Sequence, residues 1–166
     1  MSHPIRQFRD EDASALVALT QSAIRVIGAR AYSPDQVEAW AAKHDDPARF
    51  RARAANGATI LVATDEADRP IGYALLEAAG DGRGHLDMLY GHPDHTRKGL
   101  AGALLAEAER EARARGMRAV FTEASELARP AFERAGYALL NRRDFSIEHA
   151  GKSVPIQNYA MEKRLA

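Results

Sequence analysis

Apolar residues in this chain recur at helical spacing in some stretches and alternate or run together in others, so most elements can be placed before any chemistry is considered. Ile5 to Phe8 reads as a short strand. Leu16, Leu19, Ala23 and Ile27 form the buried stripe of a helix that opens on Asp10-Glu11-Asp12, where acid complements the helix dipole, and ends near Gly28. A second helix starts at Tyr32-Ser33-Pro34-Asp35-Gln36-Val37. Ser33 is its N-cap, Pro34 its first residue and Gln36 the partner in a capping box, while Tyr32 and Val37 have the spacing of a hydrophobic staple. Trp40 follows on the same helix. From Lys43 to Gly57 no single period holds; Pro47 breaks the segment and Asn56-Gly57 marks a turn.

Thr59 to Ala63 and Ile71 to Leu76 read as strands joined by the polar run Asp65 to Pro70, hence an antiparallel hairpin. Beyond the turn Gly80 to Gly84, His85, Asp87 and Leu89 alternate with Leu86, Met88 and Tyr90, the period of another strand. After His92-Pro93-Asp94 the spacing becomes helical. Leu100, Ala101, Leu104, Leu105, Ala108 and Ala112 form one stripe, and Gly116 suits the cap that ends it. Ala119 to Thr122 lacks polar alternation and reads as a buried strand, parallel to the one before the helical crossover. A short helix from Pro130 to Ala135 stops at Gly136, and two strands, Tyr137 to Ile147 and Val154 to Leu165, turn at His149 to Lys152. One mixed α/β domain over residues 1–166, a mostly antiparallel sheet with one parallel pair and helices on both faces, accounts for every segment.

Chemistry concentrates between the strand ending near Gly91 and the helix beginning at Leu100. A helix opening presents backbone N–H groups without intrahelical partners and a partial positive charge. The stretch Thr96-Arg97-Lys98-Gly99-Leu100-Ala101-Gly102 adds two cations and leaves no bulk at Gly99, Ala101 and Gly102, which is the chemistry of a diphosphate cradle. Small residues at a helix start also serve plain helix-on-sheet packing. The Gly-Lys-Ser/Thr of an ATP-binding loop is absent, which argues against nucleotide hydrolysis.

Composition narrows the classes further. At 166 residues, with 46% hydrophobic and 28% charged residues, the chain suits one soluble globular domain. Its 23 basic and 23 acidic residues cancel, which speaks against broad attraction to nucleic acid or an anionic membrane. With no cysteine, disulfides, zinc-thiolate sites and cysteine nucleophiles are excluded, and a cytoplasmic setting is expected. The charged start MSHPIRQFRDEDA lacks a signal-peptide core, and no apolar run is long enough to span a bilayer. His92 and His95 sit in a proline turn without acid on the same face, more the pattern of exposed loop histidines than of a metal site.

The loop resembles the acyl-CoA-binding motif of the GCN5-related N-acetyltransferases, Gln/Arg-x-x-Gly-x-Gly/Ala. Gly99 and Ala101 fill the small positions, Leu100 the spacer, and Thr96 stands in the Gln/Arg place. Ser125 to Tyr137 is similar to a second signature, Asn-x-x-Ala-x-x-x-Tyr-x-x-x-Gly-Phe, through Ala128, Glu133-Arg134, Gly136 and Tyr137. Ser125 replaces the Asn that meets the pantetheine arm, and Phe132 replaces the Tyr that protonates the departing thiolate. Thr122 to Ser125, Ala128-Arg129-Pro130 and the ending Asn158 to Leu165 resemble a bacterial subgroup of the superfamily.

The resemblance implies an N-acetyltransferase that uses acetyl-CoA as co-substrate and a small-molecule or peptide amine as acceptor. It places the diphosphate on Thr96 to Gly102, the pantetheine along the free strand edge at Leu89, Tyr90 and Gly91, and the rest of the arm near Ser125 and Phe132. His85 falls where several members carry a catalytic glutamate, and histidine titrates near neutrality, as a base for an ammonium acceptor should. Asp87 would orient His85 or hold the acceptor's cation, and the alternative for His85 is a strand-end histidine satisfied by its loop. Tyr73 and Glu77 are reserves for the base, Tyr32 faces the acceptor or packs, and Tyr137 or Tyr159 could replace the donor missing at Phe132. A non-catalytic acyl-CoA-binding module of the same fold, an interaction domain in which the loop merely packs, and terminal strands that close the sheet either within the chain or across a homodimer complete the expectations.

Overall fold

The computed structural model describes residues 3–96 and 98–166. Seven strands, β1 (Ile5–Gln7), β2 (Thr59–Thr64), β3 (Pro70–Ala78), β4 (Arg83–Gly91), β5 (Ala119–Ala124), β6 (Ala138–His149) and β7 (Lys152–Arg164), form one sheet in the order β1-β2-β3-β4-β5-β7-β6. Neighbours are antiparallel except β4 and β5. The helices are α1 (Ala13–Val26), α2 (Pro34–Ala41), α3 (Ala48–Ala55), α4 (Leu100–Ala114) and α5 (Arg129–Arg134).

Strand alternation sorts the core onto the two faces. Leu61, Ala63, Ala74 and Leu76 pack with Leu104, Leu105 and Ala108 of α4, whereas Ile60, Val62, Tyr73 and Leu75 pack with Leu16 and Leu19 of α1 and Phe50 of α3. β2 and β3 are thus buried on both sides, which is why they read as continuous apolar runs. A further cluster joins α2 to the β6–β7 hairpin through Val37, Ile147, Val154 and Ile156. The terminal strands complete the sheet within the chain, through a turn in which Ala150 (φ 52°) and Gly151 (φ 77°) are left-handed.

Local signals hold where a side chain meets nearby backbone. Ser33 Oγ accepts from the Gln36 amide at 3.2 Å while Gln36 Oε1 accepts from the Ser33 amide at 2.9 Å, the reciprocal capping box of α2. Helix α3, in contrast, lies within the stretch that has no single period. Arginines at positions 49, 51 and 53 interrupt its apolar stripe and leave Phe50 as its single buried residue.

Two departures from regular sheet geometry shape the region around β4. Leu75 pairs with Met88 but Leu76 pairs with Leu86, so Asp87 is an extra residue, a β-bulge in β4. The simple alternation expected through this strand is therefore broken. Leu86 and Leu89 face α4, and Met88 and Tyr90 face the α1–α3 side. The parallel ladder between β4 and β5 holds only for Arg83, Gly84 and His85 against Ala119, Val120 and Phe121. Past these positions the strands diverge, bridged once by Thr122 Oγ1 donating to the Leu86 carbonyl at 2.7 Å.

Candidate active site

The divergence of β4 from β5 opens a cavity of about 600 Å³. Asp87 to Tyr90 wall one side and Thr122 to Ser125 the other; Ala128, the N-cap of α5, and Phe132 of α5 also line it, and α2, α3 and the β6–β7 hairpin supply the remaining wall. β5 runs to Ala124, two residues beyond its expected end, and its burial does alternate from Val120 onward, with Phe121 and Glu123 half-buried. That alternation carries a carboxylate to the cavity.

At the inner end of the β4–β5 gap, His85 Nε2 lies 2.7 Å from Glu123 Oε1 and 3.8 Å from Asp87 Oδ1. The imidazole stacks on Phe121, ring centroids 4.6 Å apart and planes 7° from parallel. Hydrogen bonding to Glu123 raises the His85 pKa, opposed in part by desolvation. The bulge brings Asp87 beside His85. Its Oδ2 accepts from Arg53 of α3 at 2.7 Å, and Arg53 also pairs with Glu77. His85, Asp87 and Glu123 lie within 4.8 Å of one another, a spacing a cation could use, and the Arg53 guanidinium already supplies positive charge there. Asp87 and Glu123 line the cavity, and His85 stands behind them.

The opening of α4 has the expected form. Gly99 caps the helix at φ 76° with no side-chain hydrogen bond, so satisfying the first-turn amides is left to solvent or a bound anion. A Cβ built at Gly99 or Gly102 would meet nothing within 4 Å, which leaves the helix mouth open. Leu100 is different. Its side chain is core, and a Cβ on Gly72 would stand 2.9 Å from Leu100 Cδ2, so Gly72 permits α4 to seat on the sheet; Gly91, at 3.3 Å, does the same and does not line the cavity. Ala101 is half-buried and Lys98 exposed, while Thr96 Oγ1 turns back to donate to the Pro93 carbonyl at 3.3 Å. Arg97 lies outside the described residues.

The remaining expected positions divide. Ser125 and Phe132 line the inner cavity; Ser125 Oγ accepts from the Ala128 amide at 3.1 Å, and Phe132 meets Tyr137 edge-on at 5.1 Å. Leu89 and Tyr90 line it on the unpaired edge of β4, and Trp40 Nε1 donates to Tyr90 Oη at 3.2 Å. Tyr32 is a wall residue with its hydroxyl fully engaged, donating to the Gln157 carbonyl and accepting from the Glu126 amide, each at 2.9 Å. Tyr73 falls outside the cavity lining. It is 0% exposed, in contact with Thr20 Oγ1 beneath the sheet surface, and burial drives its pKa upward. Glu77 also falls outside the lining, next to His85 across the β3–β4 ladder. Tyr137 and Tyr159 do not line the cavity either, and Tyr159 Oη donates to Glu126 at 2.6 Å. His92 Nδ1 accepts from the Asp94 amide at 3.1 Å, a local turn contact.

Three side chains that line the cavity escape a reading of the sequence: Glu123, Arg53 and His44. Glu123 carries a signal, the lone charged residue of its strand, whereas Arg53 and His44 belong to the segment without a period. His44 lines the cavity edge-on to Tyr90 at 5.8 Å. Desolvation lowers its pKa from 6.5 to about 4 despite the attraction of Asp87, so it stays neutral at pH 7. Because the unfolded histidine takes up its proton at higher pH than the folded one, stability is complete above about pH 6.5 and falls as the pH drops toward 4, by up to ~3 kcal/mol. Urea unfolding at pH 7 and pH 4.5 should accordingly show His44→Gln losing about 2 kcal/mol less than the native chain between the two conditions. Equal losses would place His44 in water.

Comparison with known proteins agrees with this architecture. The family model described as an acetyltransferase (GNAT) domain matches residues 28–154. The uncharacterized N-acetyltransferase YafP of Escherichia coli (strain K12) is 30% identical over 143 residues, 84% of this chain and 83% of that protein. Among solved structures, a GCN5-related N-acetyltransferase from Rhodopseudomonas palustris superposes with a TM-score of 0.86 at 34% identity, covering 99% of this chain and 97% of that one. The PaiA N-acetyltransferase of Thermoplasma acidophilum, in complex with coenzyme A, gives a TM-score of 0.80 at 19% identity, covering 99% and 100%. Two splayed parallel strands beside an open glycine-capped helix, in a chain that matches this family over most of its length, make the protein a member of the GCN5-related N-acetyltransferase superfamily.

Proposed function

We propose that the protein transfers the acetyl group of acetyl-CoA to a primary amine of a small molecule or peptide, by direct attack within the β4–β5 cavity. The observation that carries this reading is the continuity of parts: an anion-ready helix mouth at Gly99, an unpaired edge of β4 and an acid–imidazole cluster at its inner end. Open space before Gly99 and Gly102 suits a diphosphate, held by the amides of α4 with Lys98 alongside. Leu89 and Tyr90 offer backbone groups to the pantetheine amides in the manner of an added strand. Bound acetyl-CoA supplies an activated thioester carbonyl.

An ammonium has no lone pair for attack, so the acceptor must lose a proton. Asp87 and Glu123 attract the cation to the inner cavity. The proton passes to Glu123 and its partner His85, which together accept one only when the imidazole starts neutral. Since Glu123 raises the His85 pKa, turnover should climb with pH along a limb above 6.5. Phe132 has no proton to give. The Ser125 hydroxyl, whose oxygen already accepts from Ala128, keeps its hydrogen free to bond the departing sulfur, and solvent completes the protonation. Thiol release from acetyl-CoA with a panel of primary amines tests this reading. Amine-dependent release is expected, and calorimetric binding of CoA without release on any amine would select the non-catalytic module.

A further inference from the structure

The cavity wall carries charges of both signs. The acids Asp87 and Glu123 stand where β4 and β5 part, with side chains 30% and 27% exposed and Arg53 paired to Asp87, whereas the exposed Lys43, Arg49 and Arg143 line the rest of the wall together with Asp46. Several cations elsewhere in the chain are matched by acids. Arg6, Arg25, Arg83, Arg129 and Arg142 all form ion pairs. Arg49 instead donates to the Lys43 carbonyl at 2.8 Å and Arg143 to Asn158 Oδ1 at 2.9 Å, and among the described residues none of the three forms an ion pair. Asp46, on the same wall, accepts from the Ala48 amide at 3.0 Å, and Asp144, next to Arg143 in sequence, pairs with Arg142. The α2–α3 segment that carries Lys43 and Arg49 packs on the sheet face opposite α4, so these cations do not belong to the diphosphate site. The same cavity is lined by the apolar surfaces of Trp40, Tyr90, Phe145, Ile147 and Ile156.

We infer that the acceptor is amphoteric: a primary amine and a carboxylate at opposite ends of an apolar body, the amine drawn to Asp87 and Glu123 and the carboxylate to Arg143, Lys43 and Arg49. This rests on the transferase reading and adds the acceptor's class to it. Arginine suits the task, because its planar fork binds a carboxylate through two hydrogen bonds, and Arg143 is already aligned by Asn158 and by the Phe145 ring 5.2 Å away. A carboxylate at the rim also fixes which end of the molecule enters, leaving the amine as the only group that reaches the inner acids. Such orientation acts chiefly on binding, so its loss should appear in KM rather than in kcat.

Matched pairs isolate the effect. With acetyl-CoA saturating, 4-aminobutyrate through 8-aminooctanoate are compared with the alkylamines that lack the carboxylate, by thiol release. In at least one pair the carboxylated amine should have kcat/KM about tenfold higher, through KM. Replacing Arg143 and Lys43 together by Gln should reduce that ratio to about threefold or less, with acetyl-CoA affinity by calorimetry and the rate on the plain amine unchanged. Plain amines turned over equally well or better, or a ratio indifferent to the double variant, would overturn the inference and leave the transferase reading standing. Bound acetyl-CoA with no carboxylated amine acetylated would also overturn it, whereas a protein that fails to bind acetyl-CoA would bring down the transferase reading itself.

Discussion

Gly99→Glu is expected to weaken CoA binding by more than about a hundredfold, measured by calorimetry on the purified protein. Three effects act together. At φ 76° any residue with a Cβ is strained by ~1–2 kcal/mol. A carboxylate at the helix mouth repels the diphosphate it replaces, and its bulk fills the space that is open in the native chain. Gly151 provides the control. It has φ 77° and equally open surroundings but lies in the β6–β7 turn, so Gly151→Glu should lose comparable stability and bind CoA normally. If the two variants bound alike, the helix mouth would not be the diphosphate site.

Glu123→Gln should lower kcat about a hundredfold while CoA affinity stays within about twofold. The carboxylate faces the cavity and holds the His85 imidazole at 2.7 Å, so the change removes both a proton acceptor and the charge that raises the histidine's pKa. The rising limb of the pH profile should therefore move toward acid in Glu123→Gln, a displacement that loss of packing alone would not cause. His85→Ala should likewise reduce turnover more than cofactor affinity. Kinetic constants equal to those of the native chain in His85→Ala would remove the imidazole from the mechanism, and an unmoved limb in Glu123→Gln would uncouple the two residues.

Glu123 also shows where the amino-acid pattern ceases to inform. The fold is legible because its determinants act over short distances. The Ser33–Gln36 box, the left-handed glycines after α4 and α5, and the two-faced apolar runs of β2 and β3 depend on neighbours a few residues away. The mouth of α4 belongs to the same class, since a helix terminus offers its amides whatever packs elsewhere. Helix α3 is not legible because it is about two turns long and buries a single side chain, Phe50, while one of its arginines, Arg53, turns to an ion-pair network instead of bulk water.

The proposed catalytic constellation arises differently. Alternation alone puts His85 and Asp87 on one strand face, but an extra residue in β4 sets the actual orientation, and Glu123 comes from a strand 38 positions away through the brief β4–β5 ladder. Likewise, Tyr73 sits in a strand beside the site and is nevertheless sealed under α1 and α3, because its strand is covered on both faces. By itself the chain's local pattern determined the strands, most helices and the anion-ready turn at Gly99, all set by backbone hydrogen bonding and side-chain spacing. Which polar groups meet in the cavity was decided only by tertiary structure, because bulges and diverging strands redirect side chains through pairings between segments far apart in the chain.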